Sequence, residues 1–342
     1  MNFKHHCLVG AIVNPRVNPG DMLILRGIEY LVSQAELEIG NAPLFSRANI
    51  FDDPKSAADN LTWELLKERV SSVIFCGTPQ LNKDGCGAHF LNLCKRSEDV
   101  RKLGIKSFYF WLGSGYTNHL YTEQSSVDAM YSANVGNLGR VRDNFDAIIT
   151  RDSITHKVLN RAGIFNAQFL DCVFFTPDYF RVSPGCRNYN LMVLRGKDNL
   201  PELEKFAKKS LELERVMDDA VPTLFMVHEE REFSIWKNWL PRERLICVCS
   251  PADLLRVYAG ANQVVSFRVH GSVVALSLGK SVVNVSTDSR SNILEAAGFE
   301  SVRYPNYLEL KEFQFRNLEN VKELKEINRV RFIEFWKNLW VK

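Results

Sequence analysis

The sequence lacks the short motifs that mark several large classes of enzyme. It contains no Walker A pattern, no His-Glu-x-x-His, no Gly-x-Ser-x-Gly, and no Gly-x-Gly-x-x-Gly after the first predicted strand. These motifs position a phosphate-binding loop, a zinc ion, a nucleophilic serine and a dinucleotide, respectively. P-loop nucleotide hydrolysis, zinc proteolysis, serine hydrolysis and dinucleotide redox chemistry therefore have no support in the sequence.

Cysteine is present, but not in an arrangement that is typical of a metal site. The eight cysteines include no Cys-x-x-Cys pair, and no pairing of cysteine with histidine has the spacing of a zinc site. Several, including Cys7, Cys76 and Cys247, lie within apolar strand patterns, where a buried thiol acts as a small hydrophobic side chain. We therefore expect free thiols, no bound metal and a reducing, cytoplasmic environment.

A basic excess and a membrane-spanning segment are both missing as well. The chain has 43 Lys and Arg against 40 Asp and Glu, and no basic run is interleaved with aromatic residues. Nucleic acid is therefore not an expected partner. The apolar runs fall well short of about 18 residues, and the one near the N-terminus is too short for a signal peptide. We expect no transmembrane segment and leave peripheral attachment to the inner face of the membrane open.

The length of 342 residues favours two lobes over a single core. Short apolar runs alternate with helical patterns, and after residues 178–189, which read as a linker, the alternation begins again. Such alternation is typical of an α/β fold with a parallel sheet covered by helices on both faces. We predict two Rossmann-like doubly wound lobes, residues 1–183 and 184–304, with an amphipathic helical segment over residues 305–342.

The clearest functional signal lies in residues 263–286. Residues 264–267 predict a strand and a small-residue helix follows, so Arg268 and His270 fall between the carboxyl end of a strand and the start of a helix. Open α/β sheets bind ligands at this edge, and the free N–H groups of a helix N-terminus favour anions. The guanidinium of Arg268 matches a carboxylate or phosphate, although a salt bridge to a neighbouring carboxylate is the alternative interpretation.

His270 is the candidate proton donor of this segment. A bound anion would raise the pKa of its imidazole, whereas the N-terminal end of the helix lowers that pKa. We therefore expect the protonation of His270 to depend on the bound anion.

Four further residues follow predicted strands of the second lobe. Arg195 and His228 come directly after the strands at 190–194 and 222–227, and Ser286 and Arg290 bound a polar turn after the last strand. Because the carboxyl ends of parallel strands meet at one edge, we expect these side chains beside Arg268. For Arg195 a salt bridge is the alternative, and for His228 a solvated charged turn.

The facing wall of the site is expected in the first lobe. The loop at residues 14–21 follows the first predicted strand, carries two prolines, and precedes a helix predicted to begin at Met22. Asn18 and Gly20 lie where an α/β lobe brings its backbone close to a ligand. Asp21 is placed either as the N-cap of that helix or as a ligand contact. The piece that follows this helix, up to residue 56, reads as irregular.

Together, these residues resemble the polysaccharide pyruvyl transferase family. The resemblance runs from about residue 8 to residue 299. It rests on Asn-Pro-Gly-Asp at 18–21, which matches the family pattern Asn-x-Gly-Asp, on Thr-Arg-Asp-Ser at 150–153, and on Arg-Val-His-Gly at 268–271 with Gly-Lys at 279–280. The chain departs from the family at three points: many members have a Gly-Gly-Gly turn near Gly77, a proline in place of Cys172 and a lysine in place of Arg290.

The resemblance implies two lobes in a glycosyltransferase-B-like arrangement, with phosphoenolpyruvate in the cleft as donor substrate and no cofactor. Family members transfer the pyruvate unit to a sugar, usually as a cyclic ketal, and release phosphate. By this resemblance, Arg268 would hold the donor and His270 would protonate its methylene carbon. The first lobe would bind the glycan acceptor and the second lobe the donor.

Two alternatives stay open at this point. One is a nucleotide-sugar-dependent glycosyltransferase on the same two-lobed frame. The other is a non-catalytic glycan-binding relative, suggested by the altered turn at Gly77. The acceptor sugar and the oligomeric state do not follow from the sequence.

Overall fold

The computed structural model describes residues 2–10, 19–49, 70–77, 79–82, 84–115, 123–186, 188–195, 200–286, 289–303 and 314–341. The strands are β1 (Asn2–Gly10), β2 (Asn41–Asn49), β3 (Ser72–Cys76), β4 (Pro79–Asn82), β5 (Lys106–Gly115), β6 (Ala147–Thr150), β7 (Ala167–Gln168), β8 (Tyr189–Val193), β9 (Thr223–Val227), β10 (Leu245–Cys247), β11 (Ala261–Ser266), β12 (Ser281–Ser286) and β13 (Val302–Arg303). The α-helices are α1 (Pro19–Glu38), α2 (Ala88–Lys102), α3 (Glu123–Asn144), α4 (Ser153–Arg161), α5 (Thr176–Phe180), α6 (Leu200–Glu214), α7 (Glu230–Trp236), α8 (Pro251–Gly260), α9 (Val269–Ser277), α10 (Asn292–Glu295) and α11 (Val321–Val341).

The strands form two parallel sheets. The first has the order β2-β1-β3-β5-β6-β7, with β4 paired to β5, and the second has the order β10-β9-β8-β11-β12-β13. The pairings between these strands are parallel, so the predicted α/β class with two doubly wound lobes is confirmed. The strand order reverses between β1 and β3 in the first sheet and between β8 and β11 in the second. Such reversal points open a crevice at the carboxyl ends of the strands.

Local sequence accounts for several of these elements. Strand β3 is buried along its whole length, as expected for a strand covered on both faces. Helix α8 begins with Pro251 at its first position, and the Ser250 side chain accepts a hydrogen bond from the Asp253 N–H, which confirms Ser250 as the predicted cap. Asp152 caps α4 in the same way through the Thr155 N–H at 2.7 Å.

The two lobes share one apolar core. Side chains of the first lobe such as Leu23 and those of the second such as Val274 belong to the same buried cluster. Helix α1 packs against a 3-10 turn at Cys172–Phe175, and a Cβ at Gly27 would lie 2.1 Å from the Cys172 carbonyl oxygen. This close contact holds the first helix of the chain against the junction between the lobes.

Helix α11 returns from the second lobe to the first. Its Trp336 packs edge-on against Phe108 and Phe110 of β5, and its indole N–H donates to Glu36 Oε1 at 2.9 Å. The Glu36 carboxylate is fully buried and also accepts a hydrogen bond from Asn41 at 2.6 Å. None of the described helices is long and apolar enough to cross a membrane.

The Trp336 hydrogen bond gives a stability prediction with a matched control. We expect Trp336→Phe to lower the free energy of unfolding by about 1–3 kcal/mol more than Trp340→Phe, because only the first change leaves a buried carboxylate short of a donor. The Trp340 Nε1 atom is buried and has no hydrogen-bond partner in the described part of the chain. Urea unfolding of both variants measures the difference, and equal losses would show that the bond to Glu36 contributes nothing.

Candidate functional site

The reversal point of the second sheet gathers three of the predicted residues. Strands β9, β8 and β11 are neighbours in that order, and His228, Arg195 and Arg268 follow their carboxyl ends by one or two residues. The prediction that these three strands end at one edge is therefore confirmed. Ser286 is the last residue of β12, the next strand along, and is buried. The four side chains belong to one edge of one sheet.

Arg268 is held in place by protein groups. Its Nε donates to the Leu194 carbonyl oxygen at 3.0 Å, and its Nη2 donates to Glu232 in a close ion pair. Glu232 also accepts a hydrogen bond from the backbone N–H of His228 at 3.2 Å. The salt bridge considered as the alternative for Arg268 is thus present in this structure. The guanidinium ties together the ends of β8, β9 and β11, and a bound anion would share it with Glu232.

His270 lies in the first turn of α9, and its Nε2 atom is enclosed without a hydrogen-bond partner in the described part of the chain. Burial lowers the pKa of His270 well below its usual value, and the positive charges of Arg151, Arg290 and Arg268 lower that pKa further. The imidazole is therefore neutral at neutral pH in this structure. Negative charge placed among the three arginines would reverse their effect and favour a proton on His270.

Asp21 is a residue of the first lobe that lies near the same arginines as His270. Burial raises the pKa of its carboxyl group, whereas Arg151, Arg290 and Arg268 act in the opposite direction. The predicted N-cap role for Asp21 is wrong, because α1 begins at Pro19 and Asp21 lies inside its first turn. Gly20 is buried in the same turn, and Asn18 lies outside the described residues.

Arg151 is a further candidate that the sequence interpretation did not single out. It follows β6 of the first lobe and is only 2% exposed, yet its Nε and Nη1 atoms have no hydrogen-bond partner among the described residues. Gly113 leaves room for it, since a Cβ there would lie 2.3 Å from the Arg151 Nε. The sequence held a signal for this residue: Arg151 follows a predicted strand just as Arg268 does, and it lies in one of the motifs that carry the family resemblance.

Other buried polar atoms near this cluster are also left without partners. Asp171 uses Oδ1 to accept the Val173 N–H at 2.9 Å, whereas its Oδ2 has no partner in the described part of the structure. Burial raises the pKa of Asp171 and the charge of Arg151 lowers it. Buried polar groups in native proteins are normally hydrogen-bonded, so several exceptions in one place indicate a site that is completed by a ligand or water.

The remaining candidates frame this cluster. His228 is buried, and that burial, followed by the charge of Arg268, lowers its pKa. Arg290 lies in a short 3-10 turn, Ser289–Ser291, which packs against β5 of the first lobe. Arg195 is partly buried beyond the end of β8. Asp21 and His270 therefore both lie within electrostatic range of Arg268 and Arg290, and Arg195, His228 and Ser286 lie along the same edge.

The lowered pKa of His270 predicts how stability depends on pH. The unfolded chain takes up the histidine proton near pH 6.5, roughly the ordinary value, while the folded protein does so only at lower pH. The free energy of unfolding should therefore fall as the pH decreases below about 6.5. His270→Asn should flatten this dependence by up to one proton per chain in urea unfolding between about pH 5 and 7. An unchanged slope would mean that His270 titrates normally in the folded protein.

The two parallel sheets, with a charged cluster that takes residues from both, define a two-lobed α/β protein with a glycosyltransferase-B-like fold. Solved structures with this fold resemble the whole chain. S. aureus MnaA with UDP matches with a TM-score of 0.58 at 12% identity, over 100% of this chain and 98% of that chain. UDP-GlcNAc 2-epimerase from Methanocaldococcus jannaschii matches at 0.56 and 10% identity, over 98% and 100%. The Rickettsia bellii UDP-N-acetylglucosamine 2-epimerase matches at 0.54 and 14% identity, over 100% and 96%.

At such low identities these similarities show the fold alone, and the family comes from the sequence. The family model described as polysaccharide pyruvyl transferase matches residues 18–289, well over half of the chain. The chain belongs to the polysaccharide pyruvyl transferase family and is a transferase. Among curated protein sequences, none matches this chain significantly.

Proposed function

We propose that the protein transfers the pyruvate unit of phosphoenolpyruvate to a sugar of a surface polysaccharide or of its lipid-linked precursor, forming a pyruvate ketal and releasing phosphate. The observation that carries this proposal is that the charges of three arginines, Arg151, Arg290 and Arg268, act on His270, whose pKa they and burial lower. A donor that carries both a phosphate and a carboxylate on three carbons matches this density of positive charge. We place the reaction in the cytoplasm, at the inner face of the membrane when the acceptor is lipid-linked.

The arginines have different parts in donor binding. Arg151 has two enclosed nitrogens, Nε and Nη1, that have no hydrogen-bond partner among the described residues, and its fixed positive charge suits an anionic group. Arg268 already shares its charge with Glu232 and is held rigidly by the Leu194 carbonyl. Arg290 approaches from the short turn that packs against β5. Donor binding thus depends on side chains from both lobes, and it requires no metal or cofactor.

Donor binding also prepares the proton transfer. The negative charges of phosphoenolpyruvate offset the three arginines, so that the pKa of His270 rises and its imidazole takes up a proton. His270 then protonates the methylene carbon of the donor, which makes the adjacent carbon electrophilic. A sugar hydroxyl attacks that carbon, and we assign Asp21, which shares the arginine cluster, as the carboxylate that accepts the hydroxyl proton. A second hydroxyl then displaces phosphate, which leaves as hydrogen phosphate with the proton of that hydroxyl, and the ketal closes.

The proposal is tested by ligand-dependent thermal unfolding, followed by turnover. Phosphoenolpyruvate should raise the melting temperature, and phosphate release should require both the donor and a glycan acceptor. The similar solved structures include proteins bound to UDP, so UDP and UDP-sugars form the second arm of the test. Protection by UDP alone would favour the glycosyltransferase alternative. A glycan that protects the protein, with no turnover of either donor, would favour the non-catalytic one.

A further inference from the structure

A second chemically distinctive site lies at the edge of the second sheet. Cys247 ends the edge strand β10 and Cys249 lies in the segment that leads to α8, and their Sγ atoms are 3.6 Å apart. Both residues are partly exposed, so the strand pattern that predicts a buried Cys247 is wrong on this point. No other pair of cysteines in the described part of the chain shows such a sulfur–sulfur contact.

We infer that Cys247 and Cys249 form a redox-active dithiol, which a small disulfide oxidant such as glutathione disulfide converts to an intramolecular disulfide. Two residues of extended chain separate Cα atoms by at most about 7 Å, which is the upper limit for a disulfide. The thiols already face each other across the intervening Val248. Exposure gives the oxidant access, and a bridge across so short a segment is of the reversible, easily reduced kind.

The two thiols have different parts in the oxidation. Burial raises the pKa of Cys247, and contact with Cys249 and the charges of Glu230 and Glu232 raise it further. This raised pKa makes Cys247 a poor nucleophile at neutral pH, so we assign the first attack to Cys249. The Cys249 thiolate attacks the glutathione disulfide, forms a mixed disulfide and releases one glutathione. The Cys247 thiol then loses its proton and displaces the second glutathione, so that the two thiols lose two electrons to the oxidant.

The position of the pair connects its oxidation with the ion pair between Glu232 and Arg268. Helix α7 packs against β10, and it carries Glu232, the ion-pair partner of Arg268. Drawing the two sulfur atoms from 3.6 Å to about 2 Å is expected to shift the backbone at the end of β10. We therefore expect oxidation to alter the packing of α7.

The test uses the full chain treated with glutathione disulfide, followed by alkylation and peptide mapping by mass spectrometry. The expected product has lost two hydrogens through a bridge between Cys247 and Cys249, and dithiothreitol reverses it. Cys247→Ser should retain one glutathione on Cys249, whereas Cys249→Ser should react much more slowly at Cys247. The exposed Cys186 provides the internal control for an ordinary surface thiol.

Three results would overturn the inference: thiols at both positions that remain free for alkylation, a stable mixed disulfide at Cys249 in the unaltered chain, or a bridge to Cys186. Hydrogen exchange in α7 tests the structural consequence. Oxidation should change amide exchange over Glu230–Trp236 in the unaltered chain and leave it unchanged in Cys249→Ser. Identical exchange in the oxidised and reduced unaltered chain would contradict the link to α7. These readouts need no substrate, so they stand or fall independently of the proposed function.

Discussion

Arg151→Met is expected to stabilise the unliganded protein while it weakens phosphoenolpyruvate binding by about thirtyfold or more. The guanidinium is almost fully buried, and two of its nitrogens lack a hydrogen-bond partner in the described structure, so the charges of Asp21 and Asp171 offset only part of the cost of burying it. Removing these unsatisfied buried donors is expected to stabilise the fold by about 1–3 kcal/mol. The same charge, desolvated against an anion, contributes about 2 kcal/mol or more to binding.

Arg268→Met is the matched control for this prediction. Arg268 is paired with Glu232, and the two side chains are 11% and 8% exposed. Removing the cation leaves a buried carboxylate without its partner, which should cost about 3–5 kcal/mol of stability. Thermal unfolding without ligand should therefore move in opposite directions for the two variants. A loss of stability in both would show that Arg151 is a structural residue, and unchanged donor binding in Arg151→Met would remove it from the site.

His270→Asn is expected to lower turnover by at least about a hundredfold and donor affinity by much less. A positioned proton donor contributes roughly a hundredfold or more to a rate, and asparagine cannot supply a proton to carbon. The measurement is phosphate release at saturating phosphoenolpyruvate with a glycan acceptor, together with the Kd for the donor. His156→Asn serves as the control, because the His156 ring forms hydrogen bonds with Asn160, on α4, and with Asn166, in the segment after that helix. Turnover within a few-fold of the unaltered enzyme would exclude His270 as the acid.

The second lobe could be predicted closely because its signals are local. The strand and helix around Arg268 and His270 follow from apolar runs and small residues, and the structure places them as β11 and α9 within a few residues of the prediction. The shared edge of Arg195, His228 and Arg268 follows from parallel strands alone. The ion pair between Arg268 and Glu232 could not be predicted from the sequence, because Glu232 lies 36 residues from Arg268 in the chain and no local pattern joins them.

The first lobe was predicted less well, for two physical reasons. Strand β2 lacks a strand pattern because it contains Pro43 and no β-branched residue, yet it pairs with β1 along nine residues at the edge of the sheet, where proline is tolerated. Helix α1 begins three residues before the predicted start because Pro19 occupies its first position, where a fixed φ and a missing N–H suit a helix. That shift moves Asp21 from the cap into the first turn.

The central claim is that a cationic cluster keeps His270 unprotonated until an anionic donor binds. Isothermal titration of phosphoenolpyruvate into the full chain, in buffers of different ionisation enthalpy at neutral pH, measures the protons taken up on binding. Comparison with His270→Asn isolates the histidine from the donor's own titration. The account predicts that the unaltered protein takes up as much as one proton more than the variant. Equal proton exchange in the two proteins, or binding of a nucleoside diphosphate in place of phosphoenolpyruvate, would contradict it.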